Sequence, residues 1–179
     1  MSNQLIQLEV KNLTTCFRTV KEDVTAVDDV SFSLKKGETL CIVGESGCGK
    51  SVSALSIMGL LPPSGYVKSG SAIFQDNNLL SMSSNQLEKL RGNRISMIFQ
   101  DPGSSLNPVM RIGDQVSEIF QIHLNISKKE SLEKAFEMLK QVEIPDPESR
   151  MLAYPHELSG GMAQRIMIAI ALACHPDIL

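Results

Sequence analysis

The chain has 179 residues, 42% of them apolar, and 17 basic against 20 acidic side chains give a net charge of −3. That length supports one domain with a real core. The charge leaves no basic footprint for nucleic acid, and 4% aromatic residues without Trp offer few platforms for stacking bases. Cys16, Cys41, Cys48 and Cys174 form no C-x-x-C pair, so no metal cage is expected and the scattered thiols suit a reducing cytoplasm.

The first residues, MSNQLIQLEVKN, do not combine a basic start with a long apolar run, unlike a secretory signal. Ile6, Leu8 and Val10 alternate with polar neighbours, and so do Val30, Phe32 and Leu34. Both stretches read as half-buried strands of a small antiparallel sheet, with a turn at Lys36-Gly37. Leu40-Cys41-Ile42-Val43 is continuously apolar and ends at Gly44, the pattern of a strand buried on both faces of a parallel sheet. After Lys50, apolar groups at Val52, Leu55 and Met58, followed by Gly59, have helical spacing, and Pro62-Pro63 is expected to stop that helix.

Residues 71–75 read as a strand followed by a turn at Asp76-Asn77-Asn78, and residues 95–99 as a strand leading to Gln100. From about 111 to 142 the pattern turns helical. Ile112, Val116, Ile119, Phe120 and His123 share one face. A second helix starts at Ser127, with Glu130 completing a capping box and Leu132, Ala135, Phe136, Leu139 and Val142 as its stripe. Pro145 and Pro147 are expected to close it. The last helix, about 161–174, is apolar nearly all round and therefore expected to be mostly buried. It is too short for a bilayer, which needs roughly 20 residues, so membrane association is expected only through a partner. Asp177-Ile178-Leu179 reads as the first residues of another buried strand.

Three segments carry chemistry. Gly44-Glu45-Ser46-Gly47-Cys48-Gly49-Lys50-Ser51 fits G-x-x-x-x-G-K-[ST], and the strand before it and the helix after it are the context a phosphate-binding loop requires. Glycines let successive N–H groups face phosphate oxygens, Lys50 is placed for the β- and γ-phosphates, and the Ser51 hydroxyl for Mg²⁺. Gln100 brings a carboxamide, able to accept, donate and contact Mg²⁺ without adding charge. Ser159-Gly160-Gly161 starts a helix with a natural N-cap and two residues that permit close backbone approach. Taken alone, Gln100 reads as a polar residue at a strand end and Ser159-Gly160-Gly161 as an ordinary capped helix start.

In order, the phosphate loop, Ile98-Phe99-Gln100-Asp101-Pro102 and Leu158-Ser159-Gly160-Gly161-Met162-Ala163-Gln164-Arg165 resemble the nucleotide-binding subunit of an ABC transporter over the whole chain. Residues 42–47, Ser104-Ser105-Leu106-Asn107-Pro108 and Tyr154-Pro155-His156-Glu157-Leu158 resemble, more narrowly, the dipeptide and oligopeptide importers and their nickel-transporting relatives. The resemblance implies an α/β P-loop NTPase core of the ABC ATPase type. Residues 1–39 would be mainly an antiparallel β-subdomain, 40–100 the core up to the glutamine loop, 101–157 an inserted helical subdomain, and 158–179 the signature helix and the start of a truncated Walker B strand.

It also implies roles. Residues Gly44, Glu45, Ser46, Gly47, Cys48, Gly49, Lys50 and Ser51 would bind the chain's own ATP, and Ser51 and Gln100 would contact Mg²⁺. Gln100 would sense the γ-phosphate and couple it to the membrane subunit. Ser159, Gly160, Gly161 and Gln164 would serve the ATP of a second, identical or paralogous subunit in a head-to-tail dimer. Phe17, beside Cys16 where the family often has tyrosine, would stack on adenine; a plain core role fits it equally. Two permease subunits and, indirectly, an extracytoplasmic peptide-binding protein complete the expected assembly, at the cytoplasmic face of the cell membrane. The family's metal aspartate, water-orienting glutamate and switch histidine come later in the pattern than Leu179, so no catalytic group is expected within these residues and the 179-residue chain alone is expected to be inactive and marginally soluble. His156 precedes the signature and reads as a loop residue.

Three rivals remain. A simpler P-loop NTPase would use Asp101 for Mg²⁺, but leaves residues 158–165 without a task. A DNA-repair or chromosome-organising ATPase would place a coiled coil or zinc insertion between Lys50 and Ser159, where neither pattern occurs. A truncated, non-catalytic remnant is the third.

Overall fold

The N-terminal alternation becomes a four-stranded antiparallel sheet in the order β2-β1-β3-β4. Its strands are β1 (Ile6–Phe17), β2 (Val24–Lys35), β3 (Gly65–Phe74) and β4 (Asn77–Asn78). A computed structural model describes residues 5–101 and 105–179. The chain forms two units, 1–88 and 89–179.

In the first unit β1 is central. Val10 lies opposite Phe32 on one side and Ala72 on the other, and its side chain is buried. Along β2, Val30, Phe32 and Leu34 are half-buried while Ser31, Ser33 and Lys35 are exposed, the expected period of two. The register slips after Val10 and again near Thr14, where Asn12 takes a positive φ of 49°. Gly70, at φ 107°, answers that bulge: a Cβ there would stand 2.7 Å from the Asn12 carbonyl oxygen. Two more strands thus join the pair expected from the first 39 residues.

The hairpin into β4 turns one residue earlier than the Asn-rich run suggests. Gln75 and Asp76 both have positive φ, 48° and 63°, as a two-residue hairpin connection needs. Asn77 and Asn78 are then free to pair, and the Asn78 side-chain oxygen accepts from the amides of Ala72 and Leu80.

Helix α1 (Lys50–Met58) ends at Gly59, before the two prolines. Gly59 has φ 63°, and its N–H returns to the carbonyls of Leu55 and Ser56, so a left-handed C-cap stops the helix first. Its buried residues are Ser53, Ser56, Ile57 and Met58, while Val52 and Leu55 are half-buried. The apolar spacing misplaced this face because two serines hold it. The Ser56 hydroxyl lies 2.8 Å from that of Thr15 on β1, both residues buried.

The expected strand at residues 40–43 is not formed. Leu40, Ile42 and Val43 are 40%, 50% and 86% exposed, and the segment joins no ladder among the described residues. A strand apolar on both faces needs paired edges and covered faces, and composition alone supplies neither.

In the second unit, α2 (Ser84–Leu90), which crosses in from the first, leads to Ile95. Here too the expected strand is much reduced. Ile95 makes a parallel bridge to Ile178, Ser96 donates to the Ile178 carbonyl at 2.9 Å, and residues 97–99 pair with nothing described. The buried strand expected at the chain end is likewise reduced to that one bridge at Ile178, with Leu179 59% exposed, and the Asp177 carboxylate meets the Arg94 guanidinium at 2.5 Å.

Four helices build the core of this unit: α3 (Ile112–Leu124), α4 (Lys128–Gln141), α5 (Pro147–Leu152) and α6 (Gly160–Leu172). Ile112, Val116 and Phe120 meet Ala135, Leu139, Ile166 and Ala169 in one cluster. Ser127 caps α4 by accepting the Glu130 amide, which is one half of the expected capping box. The buried face of α4 includes Ser131 and Met138, while Leu132 and Phe136 flank it. Pro147 does not end a helix; it occupies the first turn of α5, where its missing N–H costs nothing. Helix α6 buries Ala163, Ile166, Met167, Ala169 and Ala171 and leaves Ile168, Ile170 and Leu172 half-buried.

Candidate nucleotide site

Residues 44–51 form an open loop before α1. Gly47 and Gly49 have φ values of 84° and 92°, a region that disfavours any side chain. A Cβ on Gly49 would also lie 2.4 Å from the Ala26 carbonyl oxygen, so β2 presses directly on the loop. A Cβ on Gly47 would meet nothing within 4 Å, so at that position the backbone conformation and not crowding calls for glycine. Gly49 is the N-cap of α1 and provides no side-chain acceptor. The first-turn N–H groups at Lys50, Ser51 and Val52 therefore have neither an intrahelical partner nor a side-chain cap. Backbone donors, a helix dipole and a lysine converge here, an arrangement suited to an anion.

Lys50 places its charge at the centre. Nζ donates to the carbonyls of Gly44 and Glu45, each at 2.7 Å, and lies 3.4 Å from Cys48 Sγ. The end of the loop, with β2 and residues 40–43, borders a cleft of about 560 Å³ lined in part by Cys48, Gly49, Lys50 and Ser53.

Phe17 belongs to the same unit. It ends β1 opposite Val24 and Gly65, and its ring lies against Gly65, where a Cβ would stand 3.0 Å from Cε1. Phe17 is half-buried and Val24 is 50% exposed, so together they make an apolar ledge. Two residues on from Val24, Ala26 abuts the phosphate loop. At strand rise that is about 7 Å, a spacing compatible with a base on the ledge and phosphates in the loop.

Gln100 and residues 159–164 lie in the second unit. Gln100 is exposed, next to a Phe99 that is 41% exposed. Asp101 is exposed and its carbonyl accepts the Ser105 hydroxyl; Pro102 and Ser104, part of the quoted resemblance, lie outside the described residues. Ser159 caps α6 by accepting the Met162 amide at 3.3 Å. Gly160 and Gly161 are exposed, have no positive φ, and a Cβ on either would meet nothing within 4 Å. Gln164 is half-buried one turn on. His156 lies in a short exposed turn and stacks on Tyr154, with ring centroids 5.7 Å apart.

The family model for ABC transporters matches residues 27–179. The chain belongs to the ABC transporter family. It is 52% identical over 172 residues to the oligopeptide transport ATP-binding protein OppD of Escherichia coli, covering 96% of this chain and 51% of that protein. It is 54% identical over 173 residues to a probable peptide ABC transporter ATP-binding protein of Sinorhizobium fredii, covering 96% and 52%. The dipeptide transport ATP-binding protein DppD of Bacillus subtilis is 52% identical over 173 residues, with the same coverage. The chain thus spans about half the length of the curated relatives it matches. Its fold is similar to the dimeric structure of an ATP-binding cassette in a post-hydrolysis state bound to ADP and Pi, with a TM-score of 0.83, 28% identity, and coverage of 94% of this chain and 70% of that one. The α/β cassette fold expected from the motifs is therefore the fold of this ABC chain.

Two features of this ABC cassette had no signal in the linear pattern. Arg165, the last residue of the signature segment, donates to the carbonyls of Val142 and Glu143 at 3.1 and 2.8 Å, tying α6 to the end of α4. The Tyr66 hydroxyl donates to Asp23 at 2.6 Å, joining β3 to the connection between β1 and β2. Both join residues far apart in sequence and follow no local period.

Proposed function

We propose that this chain is the ATP-binding part of a subunit that couples ATP hydrolysis to the import of dipeptides or oligopeptides through a membrane permease. The observation that carries it is the phosphate loop, with its two left-handed glycines, its uncapped helix start and Lys50 at the centre. Residues Gly44 to Ser51 hold the chain's own triphosphate and Lys50 meets its β- and γ-oxygens. Phe17 stacks on the base.

The residues fit Mg²⁺ as well. The Ser51 hydroxyl in the phosphate loop and the Gln100 carboxamide in the second unit are each hard oxygen donors of the kind Mg²⁺ takes. Ser51 would hold a Mg²⁺ ion at the loop, and such an ion would take further ligands from phosphate and water, as this cation commonly does. When bound, it neutralises phosphate charge. Gln100 transmits its state to the membrane subunit.

Ser159, Gly160, Gly161 and Gln164 serve the ATP of a second ABC subunit, identical or paralogous, in a head-to-tail dimer. Two glycines at an open helix start, unused by their own chain, support that reading. So do the cassettes of similar fold described as dimeric. The peptide substrate is supported by the names of the similar proteins. No described helix is long and apolar enough to cross a membrane, and the proposed place is peripheral, at the cytoplasmic face, against two permease subunits that receive substrate from an extracytoplasmic peptide-binding protein.

We further propose that residues 1–179 alone bind ATP without turning it over, since the acidic pair that the family uses is not among them. Steady phosphate release by this polypeptide, abolished in Lys50→Ala, would contradict that. The transport reading is tested by expressing the subunit that carries these residues together with the neighbouring permease genes. It predicts co-purification with a permease pair and peptide-stimulated ATP turnover; stable isolation with DNA or ribosomes instead would reject it.

A further inference from the structure

The connection between β1 and β2, residues 18–23, is pinned to β3 from one side. Arg18 donates its backbone N–H to the Ser64 carbonyl at 2.8 Å. The Tyr66 hydroxyl reaches across to Asp23 Oδ2 at 2.6 Å, and the Arg18 guanidinium stands 5.0 Å from the centre of the Tyr66 ring. Within the connection, the Thr19 hydroxyl donates to the Glu22 carbonyl at 2.6 Å. These contacts leave residues 18–23 little freedom, although the segment is exposed.

The pairing shows which face they occupy. Tyr66 lies opposite Cys16, and Phe17 lies opposite Gly65 and Val24. Successive residues of a strand point to opposite faces, so Tyr66 is on the side away from Phe17, and the Arg18 guanidinium is with it over the Tyr66 ring. The clamp holds the strand ends from behind and leaves the Phe17–Val24 ledge clear in front. The Asp23 carboxylate also pushes the Tyr66 phenol up to about 12, so the hydroxyl remains a donor over the whole physiological range.

We propose that Tyr66, through Asp23 and Arg18, is a positioning residue for nucleotide binding: it fixes the Phe17 ledge so that a planar base is received without further ordering. This rests on the reading of the loop as a triphosphate site and of Phe17 as the base contact. Tyr66 touches no nucleotide in this account. Its effect is preorganisation, which raises affinity by removing the cost of ordering a side chain and loop on binding. A contact that acts only on the base leaves the phosphate interactions unchanged.

The test compares ATP with inorganic tripolyphosphate, each titrated into the 179-residue chain by calorimetry. Tyr66→Phe keeps the ring under Arg18 and removes only the hydroxyl. ATP affinity is expected to fall about threefold to tenfold with tripolyphosphate affinity unchanged. Asp23→Ala is expected to match it, and Asp23→Asn, which keeps an oxygen acceptor for the hydroxyl, to restore most of the affinity. Equal losses for both ligands would mark Tyr66 as merely structural and overturn the proposal. No loss for either, with the melting temperature unchanged, would overturn it too. If the wild-type chain binds neither ligand, the triphosphate reading itself fails, and the proposal with it. If ATP binds no tighter than tripolyphosphate, Phe17 is not a base contact and the positioning role falls alone.

Discussion

The chain starts two helices with glycine, and the two starts are built on opposite terms. At α1, Gly49 is demanded by the chain itself: its φ is 92° and Ala26 leaves no room for a Cβ. At α6, Gly160 and Gly161 have ordinary φ and open space around them. The α1 start has no side-chain cap, whereas Ser159 caps α6. A glycine that its own fold requires shapes a site within the chain. A glycine that nothing in its own chain requires keeps a surface clear for something else. The contrast supports assigning the first loop to the chain's own nucleotide and the second to a partner's.

Substitution breaks or sharpens this contrast. The largest effect is expected from Gly49→Ala, which combines a left-handed backbone with a backbone clash and should cost about 2–5 kcal/mol, together with nucleotide binding. Denaturant unfolding of the chain measures the first and ATP titration the second. Ser159→Ala removes the cap of α6 and should cost about 1 kcal/mol, read as a lower unfolding midpoint. The Tyr66 hydrogen bond gives a pH signature. The folded pKa of about 12 lies above the ordinary tyrosine value of 10.0, so the stability it adds is complete below pH 10 and is lost as pH rises through 12. Ultraviolet titration in a Tyr154→Phe background, leaving Tyr66 as the one tyrosine, should show phenolate forming near pH 12; an apparent pKa of 10 would mean that the bond to Asp23 does not persist in solution. The smallest effect is expected from Gly160→Ala, where stability should stay level or rise by up to roughly 0.5 kcal/mol. A clear loss would show that α6 needs this glycine for its own fold.

The sequence exposed some of this and concealed the rest, for physical reasons. The loop was legible because glycine, lysine and serine at fixed spacing serve a backbone geometry that few other residues allow. The helical core of the second unit was legible because Ile112, Val116 and Phe120 keep a 3.6-residue period. Ser53 and Ser56 hid the buried face of α1, since paired hydroxyls bury there without an apolar signal. Leu40 to Val43 misled in the other direction: apolar composition indicates what a segment could bury, while pairing depends on neighbours distant in the chain. Asp23 and Tyr66, 43 positions apart, follow no period at all.

On this reading the two glycine starts serve two different nucleotides. It is tested most directly by titrating a fluorescent ATP analogue into dilute, monomeric Lys50→Ala and Gly161→Ala variants beside the parent chain. Removing the Lys50 ammonium deletes charge-assisted hydrogen bonds worth about 1.5–3 kcal/mol, so affinity should fall roughly tenfold or more. Gly161→Ala should bind like the parent. Equal affinities for Lys50→Ala and the parent, or a loss in Gly161→Ala as large as that in Lys50→Ala, would contradict the account.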